Sequence, residues 1–217
     1  MPSASSPFDQ SFFQIGLEWG AEGLARLAPA DIVVVVDVLR FSTQAVDAAA
    51  AGRTLPLAGS GSVNGARVAA AASGAVVVAG CLRNAGAVAR WIVAEQHRRG
   101  DRVRVAVIPA GELTGPSEPG PSQGGCVRVA IEDQLGAGAV IAALGDLGLD
   151  HSSPEAAVAC EAFRSLRGAV RHLLLASGSG QELVDRGLRD DVLHAAEIDV
   201  DDVVPVLRDG VFRAGSH

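Results

Sequence analysis

Lysine and tyrosine are both absent from this chain. All 18 basic residues are arginine, which excludes Schiff-base catalysis and any P-loop lysine. A phosphate ligand must then be held by arginine, by backbone N–H groups or by a metal ion. Aromatic residues make up only 4% of the chain, and the three cysteines (Cys81, Cys126, Cys160) are an odd number with no CxxC pair. Neither a disulfide framework nor a zinc knuckle fits that spacing, so reduced thiols in a cytosol are the simple reading. The five histidines show no metal-ligand spacing and read as surface or incidental residues. No run approaches the ~20 apolar residues of a membrane span. Residues 2–10 are polar, without the charged-then-apolar order of a signal peptide. These absences predict a soluble, cytoplasmic protein with no membrane partner.

Positive charge is also in deficit. The net charge of −7 and the lack of a basic run with interleaved aromatics argue against nucleic acid as a partner. Arg98, Arg99, Arg102 and Arg104 do cluster, but at the end of one helical pattern and the entry to the next strand, where cations complement a helix terminus. What the chain has in quantity is alanine and valine, within 48% hydrophobic content. That composition suits close packing of helices on a sheet.

Strand and helix patterns alternate along most of the sequence. Strands are predicted at 11–17, 31–37, 53–57, 76–79 and 103–108, with a closing pair within 203–213. Helices are predicted at 20–28, 41–51, 66–72, 83–99 and 131–144. A Ser-x-x-Glu capping box with a first-turn proline opens a helix at 152–155, and a second box opens one at 179–182. Residues 59–65 read as a flexible turn and 113–125 as a long Gly/Pro/Ser loop, of a length that is usually functional or mobile. The alternation predicts an α/β fold, a three-layer α/β/α sandwich with a mainly parallel sheet, in one domain over 1–217.

The most informative stretch is DVLRFST (37–43), which follows four consecutive valines. Its polar residues fall where a buried strand turns into a helix, the edge at which open α/β sheets bind ligands. Asp37 supplies a carboxylate suited to a hard cation, and Arg40 a planar donor fork suited to phosphate. Asp37 is as readily a helix N-cap, however, and Ser42 and Thr43 can simply satisfy helix-start amides. Further polar groups follow later strands: Arg83 and Asn84, then Glu112, with Glu132 and Asp133 after the long loop. Parallel strands would bring these to one edge.

Three phosphate motifs fail. Leu39 stands where a haloacid-dehalogenase-type site needs a second Asp, a Walker loop lacks its Lys, and Gly178-Ser179-Gly180 has no third glycine for a dinucleotide fingerprint. Cys81 and Cys126 have no histidine near in sequence and are poor nucleophile candidates.

Taken in order, several segments resemble the 2-phosphosulpholactate phosphatase family. They are VVVVDVLRFST (33–43), SVNGARVAAAA (62–72), VVVAGCLRNAGAVARW (76–91), VAVIPAGE (105–112), AIEDQLGAGAVIAAL (130–144), SPEAAVACEAF (153–163) and the stretch 173–212. The resemblance implies a Mg²⁺-dependent phosphatase acting on a small anionic phosphate ester of a sulfonated or carboxylated hydroxy acid. It implies Asp37, Arg40 and Glu112 as catalytic residues and Asp37, Glu132 and Asp133 as magnesium ligands. Ser42, Thr43, Asn64, Gly65, Arg83 and Asn84 would bind substrate, Arg83 at the sulfonate or carboxylate. In one region the chain departs from the family pattern: AGRTLPLAGSGS (51–62) stands where members carry a further strand, helix and glycine-rich loop. That departure sustains an alternative expectation, a catalytically impaired relative that binds anions or serves as a scaffold. A homo-oligomer is left open.

Overall fold

The computed structural model describes residues 6–58, 62–114 and 126–215. Seven strands join one sheet: β1 (Ile15–Leu17), β2 (Ile32–Val36), β3 (Leu55–Pro56), β4 (Val76–Gly80), β5 (Val105–Pro109), β8 (Pro205–Arg208) and β9 (Val211–Ala214). Between β5 and β8 in sequence, β6 (Glu112–Thr114) and β7 (Cys126–Arg128) form a separate antiparallel hairpin. The sheet order is β1-β5-β2-β4-β8-β9-β3. Its core, β1-β5-β2-β4, is parallel, and β8, β9 and β3 extend it antiparallel. The β-branched runs that predicted the strands become the parallel core because both of its faces are covered, and a strand buried twice needs apolar side chains at every position.

Alternate side chains of β2 separate two apolar layers. Val33 and Val35 pack with Phe41, Ala45, Val68 and Phe212 under α1 (Gly20–Arg26), α2 (Phe41–Ala50) and α3 (Asn64–Ala71). Val34 and Val36 face the larger core, with Val88 and Ile92 of α4 (Ala85–Arg99) and Leu135 and Val140 of α5 (Ile131–Asp146). Residues of α6 (Pro154–Leu166), α7 (Val170–Ala176), α8 (Gly178–Asp185) and α9 (Arg189–Ala195) complete that layer. The result is the expected α/β/α sandwich.

Small residues set the depth of the larger layer. A Cβ on Gly138 of α5 would lie 2.1 Å from the carbonyl oxygen of Ala159 in α6, so the two helices meet backbone to backbone. No helix of the described residues is long and apolar enough to cross a membrane.

Several boundaries differ from the sequence reading. The cap of α6 is Ser153, not Ser152, and its hydroxyl accepts from the Ala156 amide at 3.2 Å. The cap of α8 is Ser177, not Ser179; its hydroxyl accepts from Gly180 N at 3.1 Å. In both places consecutive or near-consecutive serines offer the same hydroxyl, and the chain's entry angle selects one. The two ends of the long loop pair as β6 and β7, while residues 115–125 and residues 59–61 of the flexible turn lie outside the described residues.

Candidate active site

The parallel strands β2, β4 and β5 end in register. Val36 lies beside Gly80 on one side and Pro109 on the other. The residues that follow, Asp37, Cys81 and Ala110, therefore emerge together at the carboxyl edge of the sheet, where α/β folds bind ligands.

Asp37 is buried there. Its Oδ2 accepts from the Ser62 hydroxyl at 2.9 Å and the Gly65 amide at 3.0 Å, and its Oδ1 accepts one long bond from Phe41 N at 3.3 Å. The last of these is a helix-start interaction, so the capping reading of Asp37 holds in part. A Cβ on Gly65 would sit 2.7 Å from Asp37 Oδ2 and 2.5 Å from the Phe41 ring, which is why the first turn of α3 needs glycine to come so close. Asp133, in the first turn of α5, joins two strand exits: its Oδ1 accepts from Val38 N at 2.8 Å and its Oδ2 from Gly111 N at 2.9 Å. Glu112, at the start of β6, accepts from Asn64 Nδ2 at 2.9 Å and from the Ser179 hydroxyl at 3.0 Å.

These carboxylates repel one another. Burial pushes Asp133 well above the usual carboxylate range, and the charges of Asp37 and Glu132 push it further. Burial also raises Asp37, with the Glu112 charge adding to it against the opposing hydrogen bonds from Ser62, Phe41 and Gly65. Glu132 is only 2% exposed and forms no hydrogen bond or ion pair with another described residue.

Carboxylates of this kind are the donor type a magnesium ion takes. The ion favours oxygen donors and is commonly held by one or two carboxylates, with water and substrate phosphate completing its shell. Among the described residues no group of three or more His, Cys, Asp or Glu side chains is placed to hold a metal on its own. Of the Asp37 oxygens, Oδ1 is the more available, since it carries only the long bond.

Other predicted site residues are turned elsewhere. The Ser42 hydroxyl donates to Val35 O at 2.9 Å and accepts from Asp37 N at 3.0 Å, and the Thr43 hydroxyl donates to Val38 O at 2.8 Å. Both are buried stitches of the turn that carries Asp37. Asn84 binds Cys81 N at 2.9 Å and the carbonyls of Ala79 and Val203 at 3.2 and 3.1 Å, using both its amide atoms on the backbone. Arg83 pairs with Asp201 at 2.8 Å and with Glu197, and donates to His194 O at 2.9 Å, so it ties down the 194–201 segment. Arg40 precedes the first residue of α2 and pairs with Asp191 of α9 at 2.7 Å. Burial pushes the Cys81 thiol up to about 11, which removes it as a nucleophile at neutral pH.

Sequence reasoning missed Ser62 as a carboxylate partner and Ser179 as the Glu112 partner. Their signal was a serine in each of two glycine-rich helix starts, legible only as a turn and a cap.

Together these features define a class: an α/β/α sandwich with an acidic cluster at the carboxyl ends of its parallel strands. A family model described as 2-phosphosulpholactate phosphatase matches residues 60–210, and the chain belongs to that family. Its function is accordingly 2-phosphosulpholactate phosphatase-like in general terms. Asn64, Gly65, Arg83, Asn84, Glu112, Glu132 and Asp133 lie within the matched span, which begins inside the 51–62 bridge; Asp37 and Arg40 precede it.

Proposed function

We propose that the chain is a Mg²⁺-dependent phosphatase that releases phosphate from a small phosphorylated hydroxy acid of the phosphosulpholactate type. The observation that carries this reading is the convergence of carboxylates from three separate segments: the buried Asp37 after β2, the half-buried Glu112 after β5, and the buried Asp133 at the start of α5. Of the expected ligands Asp37, Glu132 and Asp133, the neighbouring pair Asp37 and Asp133 would hold the cation, with water and substrate phosphate completing its shell, since no three acidic side chains of the described residues are grouped to hold a metal. Bound there, magnesium supplies charge neutralisation at the phosphoryl oxygens. The chain's own groups do the rest. The Arg40 guanidinium has five donors in a planar fork and pairs with Asp191 through one nitrogen, so it can hold phosphate without losing that orienting contact. Glu112, held between Asn64 and Ser179, would take a proton from an attacking water. The net charge of −7 supports a small anionic ester rather than nucleic acid as the partner.

A second reading rests on the short 51–62 bridge, whose described residues give the sheet the two residues of β3. A relative that has lost part of a site-lining loop can keep an anion pocket while turnover is impaired, because phosphoryl transfer depends on positioned charge. One assay separates the two: phosphate release from phosphosulpholactate and phospholactate, with and without Mg²⁺, for wild type and Asp37→Ala. Release that needs both magnesium and Asp37 is the expected result. Binding of these esters by a folded wild-type protein, with no release above the Asp37→Ala control, would replace the phosphatase reading with the anion-binding one.

A further inference from the structure

We infer that Arg128 recognises the substrate's second anionic group, the carboxylate or sulfonate beside the phosphate ester; this rests on the phosphatase reading above. In the β6–β7 hairpin Arg128 lies directly opposite Glu112. Residues opposite each other in an antiparallel pair project to the same face. On that face the Glu112 carboxylate already meets Asn64 and Ser179. The guanidinium reaches the same place: a Cβ on Gly178, the residue before Ser179, would sit 3.3 Å from Arg128 Nη1.

Two observations give the guanidinium a ligand to bind rather than a fold to stabilise. Arg128 is exposed and makes no ion pair or hydrogen bond with another described residue, whereas Arg40 is paired with Asp191 and Arg83 with Asp201 and Glu197. Its head also lies against the first turn of α8, the end of a helix that disfavours a cation. An anion taken up there would relieve that repulsion. Arg40 follows Asp37 by three residues and Arg128 lies opposite Glu112, and a substrate with two anionic groups would present one to each arginine. Arg83, which sequence analysis assigned to this task, is held by its own carboxylates. Gly178 fits the same picture, because a side chain would press on the guanidinium.

The test compares two esters on wild type, Arg128→Ala and Arg128→Lys with Mg²⁺: phospholactate, which carries the carboxylate, and isopropyl phosphate, which lacks it. Removing one charge-assisted contact should raise KM for phospholactate by about 10- to 100-fold with little change in kcat. Isopropyl phosphate kinetics should not move, and Arg128→Lys should recover part of the loss. Equal losses on both esters, or none on either, would overturn the assignment, with unfolding curves confirming that the variants fold. Should wild type hydrolyse neither ester, its activity on phosphosulpholactate decides the phosphatase reading separately. Calorimetric binding of sulpholactate itself then decides: binding lost in Arg128→Ala supports the assignment, and equal or undetectable binding in both proteins overturns it.

Discussion

Asp37 and Asp133 hold protons more tightly in the folded chain than an ordinary carboxylate does, chiefly through burial and then through neighbouring negative charge. A carboxylate whose pKa is raised on folding gives stability that is complete below the unfolded value near 3.8 and is lost as pH climbs towards the raised value. A cation bound between the same groups reverses the sign, because it favours their ionised forms. Thermal unfolding of metal-free protein should therefore show Tm falling from about pH 4 towards neutrality, at roughly 2–4 °C per kcal/mol for a chain of this size. Added Mg²⁺ should raise Tm at neutral pH and leave it nearly unchanged at pH 4. Equal magnesium effects at both pH values would show that these carboxylates are not where the ion binds. The residue scale is also where the sequence was least legible. Ser42, Thr43 and Asn84 had the right chemistry and the right place in the chain, but residue type does not report which way a side chain turns. All three turn inward, onto backbone groups exposed by the sharp exits of β2 and β4.

At the scale of elements, legibility was much better, because buried parallel strands announce themselves as β-branched runs and helices as apolar periodicity. Both ends of each of the five elements β2, α2, β4, α4 and β5 fall within two residues of the sequence reading. The misses are short: α7 and α9, unforeseen, have seven residues each, the opening strand keeps only 15–17 of the expected 11–17, and β6 and β7 have three residues each with little apolar pattern and a partner across a long connection. Helix α5 shows how an element's composition encodes its neighbours, and its glycines make a contrast. Gly138→Ala would drive a methyl into the Ala159 carbonyl and should cost about 1–3 kcal/mol by forcing α5 and α6 apart. On the same helix, the Cβ of Gly145→Ala would meet nothing closer than Arg164 Nη2 at 3.9 Å. That change should stabilise by about 0.5–1 kcal/mol through helix propensity alone. Chemical denaturation of the two variants checks both signs.

Across the whole molecule, Arg83 fastens the segment between α9 and β8 to the exit of β4 through Asp201, Glu197 and the His194 carbonyl. Arg83→Met should lower unfolding stability by about 2–3 kcal/mol. That is below the ~3–5 kcal/mol of a fully buried broken pair because Glu197 is 43% exposed. KM for the ester substrate should stay unchanged in the folded fraction, and a selective rise in KM would return Arg83 to the substrate site. Asp133 works on a similar scale but from the centre. It bridges the backbone amides of Val38 and Gly111, so it closes the ends of β2 and β5 whether or not any chemistry happens beside it. Glu112 has no such duty, since its partners are the side chains of Asn64 and Ser179. The two acids would therefore age differently in a lineage that stopped turning over substrate. Selection for folding alone would keep Asp133 and let Glu112 drift, so among descendants of this fold it is the glutamate, not the aspartate, whose survival marks a working enzyme.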